Sequence, residues 1–150
     1  MIRVAYVGSR NRTDINTIQQ IETTIDCIYF VTGSDGVTLI SGGAKGVDTI
    51  AVTLAKKLYI NTVEFIPKWH NEDGTYNKGA GFQRNWMVID NADIIVAFWD
   101  GESKGTEHVI NNAKKRGLHV FVFLPSEKID EIELHRLIET VKDIKNNDTP

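Results

Sequence analysis

Residues 37–58 read VTLISGGAKGVDTIAVTLAKKL and encode a strand, a glycine-rich turn and a helix. The first four residues, Val37–Ile40, are β-branched or apolar and predict a short buried strand. The turn Gly42–Gly46 supplies glycines where the chain must reverse. After the turn, apolar residues recur at i, i+3, i+4, i+7, i+8 and i+11, the spacing of one helical face: Val47, Ile50, Ala51, Leu54, Ala55 and Leu58. This stretch therefore predicts one βα unit.

The same unit recurs along the chain. We predict strands at Ile2–Val7, Val37–Ile40, Thr62–Ile66, Ile94–Trp99 and Val120–Leu124. We predict helices from about residue 14, from residue 47, over 81–90, around 109–113 and over 127–145, with a turn at 31–36. Alternating strands and helices are typical of a parallel sheet with helices on both faces. The prediction is a single α/β, three-layer Rossmann-like domain over residues 1–145, with strand order 3-2-1-4-5 and a flexible tail at 146–150.

Length and composition limit the possible classes. A chain of 150 residues has the size of one domain. Its 17 basic and 20 acidic residues give a formal net charge of -3, which disfavours a protein that holds nucleic acid by charge alone. The chain has no apolar run that could span a membrane and no signal-peptide pattern, so we expect a cytoplasmic protein. The one cysteine, Cys27, lies in an apolar helical stretch and is predicted to be a buried thiol.

Three predicted loops at the carboxyl edge of the sheet combine glycines, hydroxyl groups and cations. Right-handed crossovers bring every strand-to-helix loop to this edge. Glycine lets backbone N–H groups approach a ligand, and helix starts offer unpaired N–H groups that bind anions. We therefore predict a phosphate-binding site made of Gly8, Ser9 and Arg10, then Ser41, Gly42, Gly43, Lys45 and Gly46, then Gly101, Ser103, Lys104, Gly105 and Thr106. Tight strand-to-helix turns alone would explain the glycines of any single loop.

These loops do not match the common nucleotide motifs. The chain contains no G-x-x-x-x-G-K-[ST], and Gly42–Gly46 does not match the dinucleotide pattern G-x-G-x-x-G. A P-loop nucleotidase and an NAD-dependent dehydrogenase are therefore disfavoured.

Two acidic residues fall in the first turns of predicted helices. Asp48 is predicted to accept a hydrogen bond from a ribose hydroxyl or to act as a general base; a favourable interaction with the helix dipole is the alternative. Glu107 carries the same alternatives. His108 has no visible acid partner, which is more typical of a structural or solvated histidine. No His, Asp or Glu set has metal-ligand spacing, so we predict no metal site and no required cofactor.

Residues near a long loop complete the candidate site. The loop Lys68–Ala80 is longer than a usual connection and predicts a functional loop or lid. Arg84, with Asn85 beside it, is predicted to contact phosphate, and a surface ion pair is its alternative role. Trp99 or Trp69 is predicted to stack on a base, although core packing is the commoner role of aromatic residues.

Several segments together resemble one family. Ser41–Asp48, SGGAKGVD, resembles the S-G-G-A-[RK]-G-[IV]-D element of DprA-like proteins. Gly81–Met87, Ala92-Asp93 before the apolar strand, and Gly101–Thr106 resemble the rest of that pattern. The likeness runs from about residue 2 to 124 and is to the SLOG superfamily, which includes DprA and the LOG-type phosphoribohydrolases. The most similar branch is that of the small YspA/YpsA-related proteins.

The resemblance implies a Rossmann-like fold that binds nucleotides or nucleotide-derived ligands at the carboxyl edge. Members include enzymes that cleave nucleotide N-glycosidic bonds, sensors of nucleotide signals, and DprA, which binds single-stranded DNA; many form homodimers or larger homo-oligomers. LOG-type enzymes carry their acid further along the helix, where this chain has His108 and Val109. Neighbouring helical residues point about 100° apart, so Glu107 does not simply replace that acid. DprA proteins usually continue with Ala-His, whereas Ala51 here precedes Val52.

The sequence therefore supports three hypotheses. The first is binding of a nucleotide or nucleotide-derived signal or metabolite through the glycine-rich loops, in a homodimer or higher homo-oligomer. The second is a hydrolase or transferase acting on the N-glycosidic bond of nucleoside monophosphates, with Asp48 and Glu107 as the catalytic carboxylates. The third is single-stranded DNA binding, which the acidic net charge disfavours.

Overall fold

The computed structural model describes residues 1–148, in which strands and helices alternate. The strands are β1 (Ile2–Gly8), β2 (Val37–Ser41), β3 (Asn61–Glu64), β4 (Ile94–Phe98) and β5 (His119–Phe123). The helices are α1 (Ile15–Thr32), α2 (Val47–Lys57), α3 (Ala80–Asp90), α4 (Lys104–Lys115) and α5 (Glu131–Asp148).

The strands form one parallel sheet in the order β3-β2-β1-β4-β5. The central strand β1 pairs with β2 from Ile2 opposite Val37, and with β4 from Val4 opposite Ile94. The predicted α/β class, three-layer architecture and strand order are confirmed. The chain builds outward from β1 to β3 and then returns to place β4 on the other side of β1.

Two apolar cores cover opposite faces of the sheet. Side chains alternate along a strand, so Val4 and Tyr6 of β1 enter one core while Ala5 and Val7 enter the other. The first core packs against α1, α2 and α5, and the second packs against α3 and α4. Strand β4 is buried along its whole length, as expected for a parallel strand covered on both faces.

The C-terminal end of α1 and both ends of β3 differ from the predictions. Helix α1 extends into the first two residues of the predicted turn 31–36, to Thr32, and stops at Gly33, whose φ of 69° suits glycine. Strand β3 begins at Asn61 and ends at Glu64 rather than at Ile66. The N–H of Phe65 still donates to the Ser41 carbonyl, but alternate residues donate along a strand and Pro67 has no N–H to continue the ladder.

Helix α5 begins and ends later than predicted. It begins at Glu131 rather than at residue 127, because the Asp130 carboxylate accepts the Glu133 N–H and caps this helix. It extends to Asp148, so residues 146–148 are helical where a flexible tail was predicted. Residues 149–150 of that predicted tail lie outside the described residues.

Cys27 lies on α1 and is only partly buried, so the prediction of a buried thiol was too strong. The burial it does have raises the pKa of the thiol. Over residues 1–148, none of the helices combines the length and apolar character needed to cross a lipid bilayer.

A buried arginine fastens the loop after β1 to the other half of the sheet. Arg12 is 3% exposed, and its Nη1 donates to the carbonyl oxygens of Trp99 and Phe123, just after β4 and at the end of β5. Its Nε and Nη2 donate to Thr17 Oγ1 at 3.2 and 3.0 Å, and the guanidinium lies 5.6 Å from the Phe98 ring centroid. These bonds offset part of the cost of burying the charge. They also fix the loop that leaves β1.

Backbone strain is visible at Tyr59, just after α2. Tyr59 has a φ of 58°, in the left-handed region that favours glycine, and its N–H donates to the Lys56 carbonyl at 3.0 Å. Its side chain is 88% exposed, so little packing compensates for this conformation. The position therefore costs stability that the ring does not recover.

We expect Tyr59→Gly to raise the free energy of unfolding by about 1 kcal/mol, because glycine adopts this conformation without strain. Urea unfolding at an unchanged m-value measures the difference. Tyr59→Ala is the matched control, since it removes the ring but keeps the strain and should unfold like the unmodified chain. An equal gain in both variants would show that the exposed ring, not the backbone, carries the cost.

Candidate functional site

A cleft of about 410 Å³ opens between the carboxyl ends of β1 and β4. The helices that follow these neighbouring strands pack on opposite faces of the sheet, so their loops separate and leave a crevice. The loops after β1, β2 and β4 and helix α3 all contribute to its walls. Segments far apart in the chain therefore meet at one site.

The cleft contains more than half of the predicted ligand-binding residues. Those that line it are Gly8, Ser9, Arg10, Gly42, Asp48, Arg84, Asn85, Ser103, Gly105 and Thr106. The predicted residues outside its lining are Ser41, Gly43, Lys45, Gly46, Trp99, Gly101, Lys104 and Glu107. The structure adds lining residues that the site prediction did not include: Val7, Asn11, Ala44, Val88, Asp100 and Val109.

Asp48 shapes the loop after β2. It is 4% exposed in the first turn of α2, and its Oδ2 accepts the N–H groups of Gly42 and Ala44 at 3.1 and 3.3 Å. Burial raises the pKa of its carboxyl to about 6, against the opposing effects of these N–H groups and of nearby Arg84 and Arg10. Asp48 therefore holds the loop in shape and also presents a titratable acid to the cleft.

Arg84 reaches from α3 to the same loop. Its Nη1 donates to the Gly42 carbonyl, and its Nε donates to Asn85 Oδ1 at 3.0 Å. A Cβ on Gly42 would lie 2.7 Å from Arg84 Cδ, so only glycine allows this approach. Burial lowers the pKa of the Arg84 guanidinium, while Asp48 opposes that shift. Part of the donor capacity of Arg84 is thus used by the protein itself.

Gly46 brings the loops after β1 and β2 into contact. Its φ is 85°, and a Cβ there would lie 2.7 Å from the Arg10 carbonyl oxygen. A larger residue at this position would therefore have a strained backbone conformation, and its side chain would also push the two loops apart. Gly46 does not line the cleft but sets the spacing of the loops that do.

Asp100 is a second acid in the cleft, and the site prediction omitted it. Its Oδ1 accepts the N–H groups of Glu102 and Ser103 at 2.9 and 2.8 Å, and its own N–H donates to Ser9 Oγ at 3.0 Å. The N–H groups of Ser103 and Glu102 lower the pKa of this carboxyl. An aspartate in a loop commonly accepts N–H groups two and three residues further on, so a sequence signal was present.

Two helix starts meet at the cleft without a side-chain cap. Neither Gly46 before α2 nor Ser103 before α4 makes a side-chain capping bond. Gly105 and Thr106, in the first turn of α4, line the cleft. A Cβ on Gly105 would meet no atom within 4 Å. Uncapped N–H groups at the positive end of a helix dipole suit an anion.

The predicted catalytic Glu107 is not brought into the cleft with Asp48. It is partly buried on α4, directly after the lining residue Thr106, and consecutive helical residues point in different directions. Lys45 lies on the loop after β2 and Lys104 is the first residue of α4; both are exposed and neither lines the cleft. Arg10 and Arg84 are therefore the cations that face the cleft directly.

The tryptophans predicted to stack on a base are both used elsewhere. Trp99 packs against the second core, and its Nε1 donates to the Ser103 carbonyl at 3.0 Å. Trp69 stacks on Tyr76, with ring centroids 6.1 Å apart and planes 5° apart. The cleft instead offers the apolar side chains of Val7, Val88 and Val109. The site prediction missed these because their pattern is that of ordinary core residues.

The predicted lid forms an ordered hairpin beside the cleft. His70 pairs with Tyr76 in antiparallel fashion, and the Asn77 N–H donates to the Trp69 carbonyl at 2.7 Å. Asn77 Nδ2 also donates to the Lys68 carbonyl at 3.2 Å. None of the described residues of this hairpin lines the cleft. In the structure it does not cover the site.

Metal ligation has no candidate in the part of the chain that the structure describes. Residues 1–148 contain no group of three or more His, Cys, Asp and Glu side chains placed to hold a metal ion. The chemistry of the cleft is that of backbone N–H groups, hydroxyls, amides, two arginines and two carboxylates.

We expect Asp48→Asn to change how stability depends on pH. The folded pKa near 6 exceeds the unfolded value near 4, so ionisation of Asp48 leaves the folded state less stable as pH rises through this window. Relative to Asp48→Asn, the unmodified chain should lose about 2 kcal/mol between pH 4 and pH 7. Chemical unfolding across that range measures the difference.

Asp35→Asn, at an exposed acid in the turn before β2, controls for the loss of one negative charge. A constant difference between the chain and Asp48→Asn at all pH values would contradict the raised pKa of Asp48.

Comparison with solved structures shows the fold. The chain superposes on DNA processing protein A (DprA) from Streptococcus pneumoniae with a TM-score of 0.69 at 20% identity, covering 93% of this chain and 56% of that one. DprA from Helicobacter pylori, described with its single-stranded DNA binding mode, gives 0.64 at 20% identity over 97% of this chain and 81% of that one. The molybdenum cofactor carrier protein from Chlamydomonas reinhardtii gives 0.62 at 19% identity, covering 81% and 76%. They share the Rossmann-like fold that the SLOG resemblance implies.

Sequence comparison gives a nearer relative. No protein-family model matches the chain. The Gene 61 protein of Mycobacterium phage D29 is 34% identical over 125 residues, which cover 82% of this chain and 97% of that protein. The chain therefore belongs to the same protein family as the Gene 61 protein of Mycobacterium phage D29.

Proposed function

We propose that the protein binds a nucleotide or a nucleotide-derived ligand in the cleft at the carboxyl edge of the sheet. The observation that carries this proposal is the convergence of three glycine-containing loops and Arg84 on one cleft of about 410 Å³. A cleft of this size is in the range of small-molecule sites. It lies at the switch point of the sheet, where open α/β folds bind their ligands.

The parts of such a ligand match different parts of the cleft. A phosphate would lie on the uncapped first turn of α4, at Gly105 and Thr106, with Arg10 as the nearby cation. Ribose hydroxyls would donate to Asp48 or Asp100. The sugar or base would contact the valines that line the cleft, Val7, Val88 and Val109, rather than a tryptophan. Assignment to the YspA/YpsA-related branch and a homo-oligomeric state remain predictions.

We expect Gly105→Ala to weaken nucleotide binding at least tenfold without destabilising the fold. The new methyl group would meet no protein atom, and it would occupy the cleft beside the N–H groups of α4. Alanine in place of a helical glycine adds up to about 1 kcal/mol of stability, so a loss of folding would not confuse the result. Calorimetric titration with a panel of nucleoside mono-, di- and triphosphates and cyclic nucleotides measures the affinity.

The matched control is Gly81→Ala, another helical glycine that lies outside the cleft. Its Cβ would make only an ordinary contact of 3.6 Å with Trp69. This variant should bind like the unmodified chain. Equal affinity of Gly105→Ala and the unmodified chain for every nucleotide that binds would place the ligand elsewhere.

We also expect Arg10→Ala to weaken the same ligand more than Lys104→Ala does. Arg10 lines the cleft, whereas Lys104 is exposed on its border and acts only through a screened charge. Affinity at 50 and 300 mM salt separates the two contributions. The effect of Lys104→Ala should nearly vanish at high salt, and that of Arg10→Ala should persist.

A second candidate is cleavage of a nucleotide N-glycosidic bond, and the carboxylates of the cleft favour it. Burial raises the pKa of Asp48 while backbone N–H groups lower that of Asp100, which gives one acid and one carboxylate facing the same space. In this hypothesis the second catalytic carboxylate, beside Asp48, is Asp100 rather than Glu107. Incubation of nucleotides at high protein concentration should release free base, and Asp100→Asn should abolish the release. No release from any nucleotide that binds would leave binding as the function.

A third candidate is single-stranded DNA, and the hairpin beside the cleft favours it. Tyr76 is 60% exposed and stacks on Trp69, and the same segment carries the exposed lysines Lys68 and Lys78. Stacked aromatics and cations are the elements that bind single strands. A gel shift at near-physiological salt with Tyr76→Ala as the variant tests this candidate.

Mass spectrometry of small molecules that co-purify with the protein tests the nucleotide proposal independently.

A further inference from the structure

Asn85 joins the two helices that line one side of the cleft. It is 6% exposed on α3. Its Nδ2 donates to the Gly105 carbonyl at 3.4 Å and lies 3.2 Å from His108 Nδ1, both on α4. Its Oδ1 accepts the Nε–H of Arg84 at 3.0 Å. The Asn85 amide therefore links His108 to Arg84.

The partners of Asn85 fix the orientation of its amide. The Gly105 carbonyl can only accept, and the Nε–H of Arg84 can only donate, so Nδ2 faces the first and Oδ1 faces the second. The remaining Nδ2 hydrogen then points to His108 Nδ1. That nitrogen must carry a lone pair, which makes His108 a neutral imidazole with its proton on Nε2.

We propose that His108 is a proton-sensitive positioning residue for Arg84: neutral His108 accepts from Asn85 in the orientation that receives the Arg84 Nε–H, and protonation of His108 at Nδ1 turns the amide and breaks the bond between Arg84 Nε and Asn85. The consequence for ligand affinity rests on the proposed function, whereas the relay from His108 to Arg84 stands on the contacts alone.

The proton step has a defined outcome. A proton from solvent takes the Nδ1 lone pair, and the ring becomes a cation that donates from both nitrogens. Its Nδ1–H then faces the Asn85 amino group, donor against donor. To accept that hydrogen, Asn85 must turn its Oδ1 toward His108. The turned amide would direct its amino group at the Nε–H of Arg84 and its oxygen at the Gly105 carbonyl, so the bonds of Asn85 to Arg84 and to Gly105 would both be lost. Arg84 would keep its bond to the Gly42 carbonyl.

The surroundings of the ring oppose its protonation. Phe82 and Trp86 of α3 contact the imidazole edge to face, with ring centroids at 4.6 and 5.6 Å. Burial lowers the pKa of His108. The neutral form therefore predominates at neutral pH, and loss of the bond between Arg84 Nε and Asn85 requires acidic conditions.

Charged groups surround this cluster on both helices. Arg84 of α3 bonds to Asn85. Arg116, directly after α4, lies 4.6 Å from the Trp86 ring centroid and pairs with Asp90 of α3. Lys104 and Glu107 share the helix of His108. Asp48 titrates in the same cleft, so its ionisation must be separated from that of His108 in any test.

Side-chain NMR of the unmodified chain tests the relay without a ligand. We expect the His108 ring nitrogens to show the Nε2–H tautomer at neutral pH. The signals of the Asn85 amino group and of the Arg84 Nε–H should shift with the same midpoint as the His108 ring. An Nδ1–H tautomer, or Asn85 and Arg84 signals that ignore the His108 midpoint, would overturn the proposal.

Two variants separate the relay from the titration of Asp48. His108→Gln keeps an acceptor for Asn85 but cannot titrate, so the step at the His108 midpoint should disappear while the step caused by Asp48 stays. His108→Leu removes the acceptor without adding a donor, so Gly105 and Arg84 still fix the Asn85 amide, and the step at the His108 midpoint should disappear in this variant too. Persistence of the step in His108→Gln would assign it to Asp48 and refute the relay.

Sulfate, which does not titrate in this pH range, is the probe for the effect on anion binding. At pH 7.5, His108→Gln should bind sulfate within about twofold of the unmodified chain. Below the His108 midpoint, the unmodified chain should bind it about three- to tenfold more weakly than His108→Gln does, the loss of one hydrogen bond. Equal affinity of the two chains on both sides of that midpoint would show that the relay does not serve the anion. Absence of sulfate binding together with the expected NMR signals would refute the anion site and leave the relay in place.

Discussion

The return of the chain from β3 to the far side of β1 is the constraint on which the site depends. It makes β1 and β4 neighbours although each paired residue of β4 lies 90 positions after its partner in β1, as Ile94 does after Val4. The Ser9 N–H donates to the Phe98 carbonyl and the Asp100 N–H donates to Ser9 Oγ, so this pairing continues into the loops. The helices that follow β1 and β4 then pack on opposite faces of the sheet, and the cleft is the space between the loops that lead to them.

Most of the fold could be predicted from local sequence patterns, because the spacing of apolar residues indicates which face of a strand or helix is buried. The alternating faces of β1 and the helical stripe from Val47 to Leu58 need only the sequence and the geometry of strands and helices. The element ends were harder. The start of α5 depends on the Asp130 cap, and the end of β3 depends on a missing N–H at Pro67, which are single-residue effects that a period of 3.6 or 2 does not contain.

The candidate site was predictable as a set of loops but not as a set of contacts. Gly42 and Gly105 could be placed at the carboxyl edge by topology alone. That Arg84 is drawn to the Gly42 carbonyl depends on a bond between segments 42 residues apart in the sequence. Such bonds arise only after the chain has folded, and no local spacing encodes them.

The two carboxylates show how environment separates residues of the same type. Asp48 and Asp100 each accept two backbone N–H groups of a loop that borders the cleft. Asp48 is buried and its pKa rises, whereas Asp100 is more open to solvent and its pKa falls. Both acids first serve the shape of the loops, and any chemistry with a ligand is added to that role.

Arg12 gives the two sides of the cleft different mechanical properties. Its guanidinium ties the loop after β1 to the ends of β4 and β5, so these three strand ends form one stiff block. The loop after β2 lacks such a bond and depends on Asp48 and on Arg84 from α3. A ligand too wide for the resting cleft would therefore be accommodated by outward displacement of the loop after β2 together with α3, while the opposite wall keeps its shape.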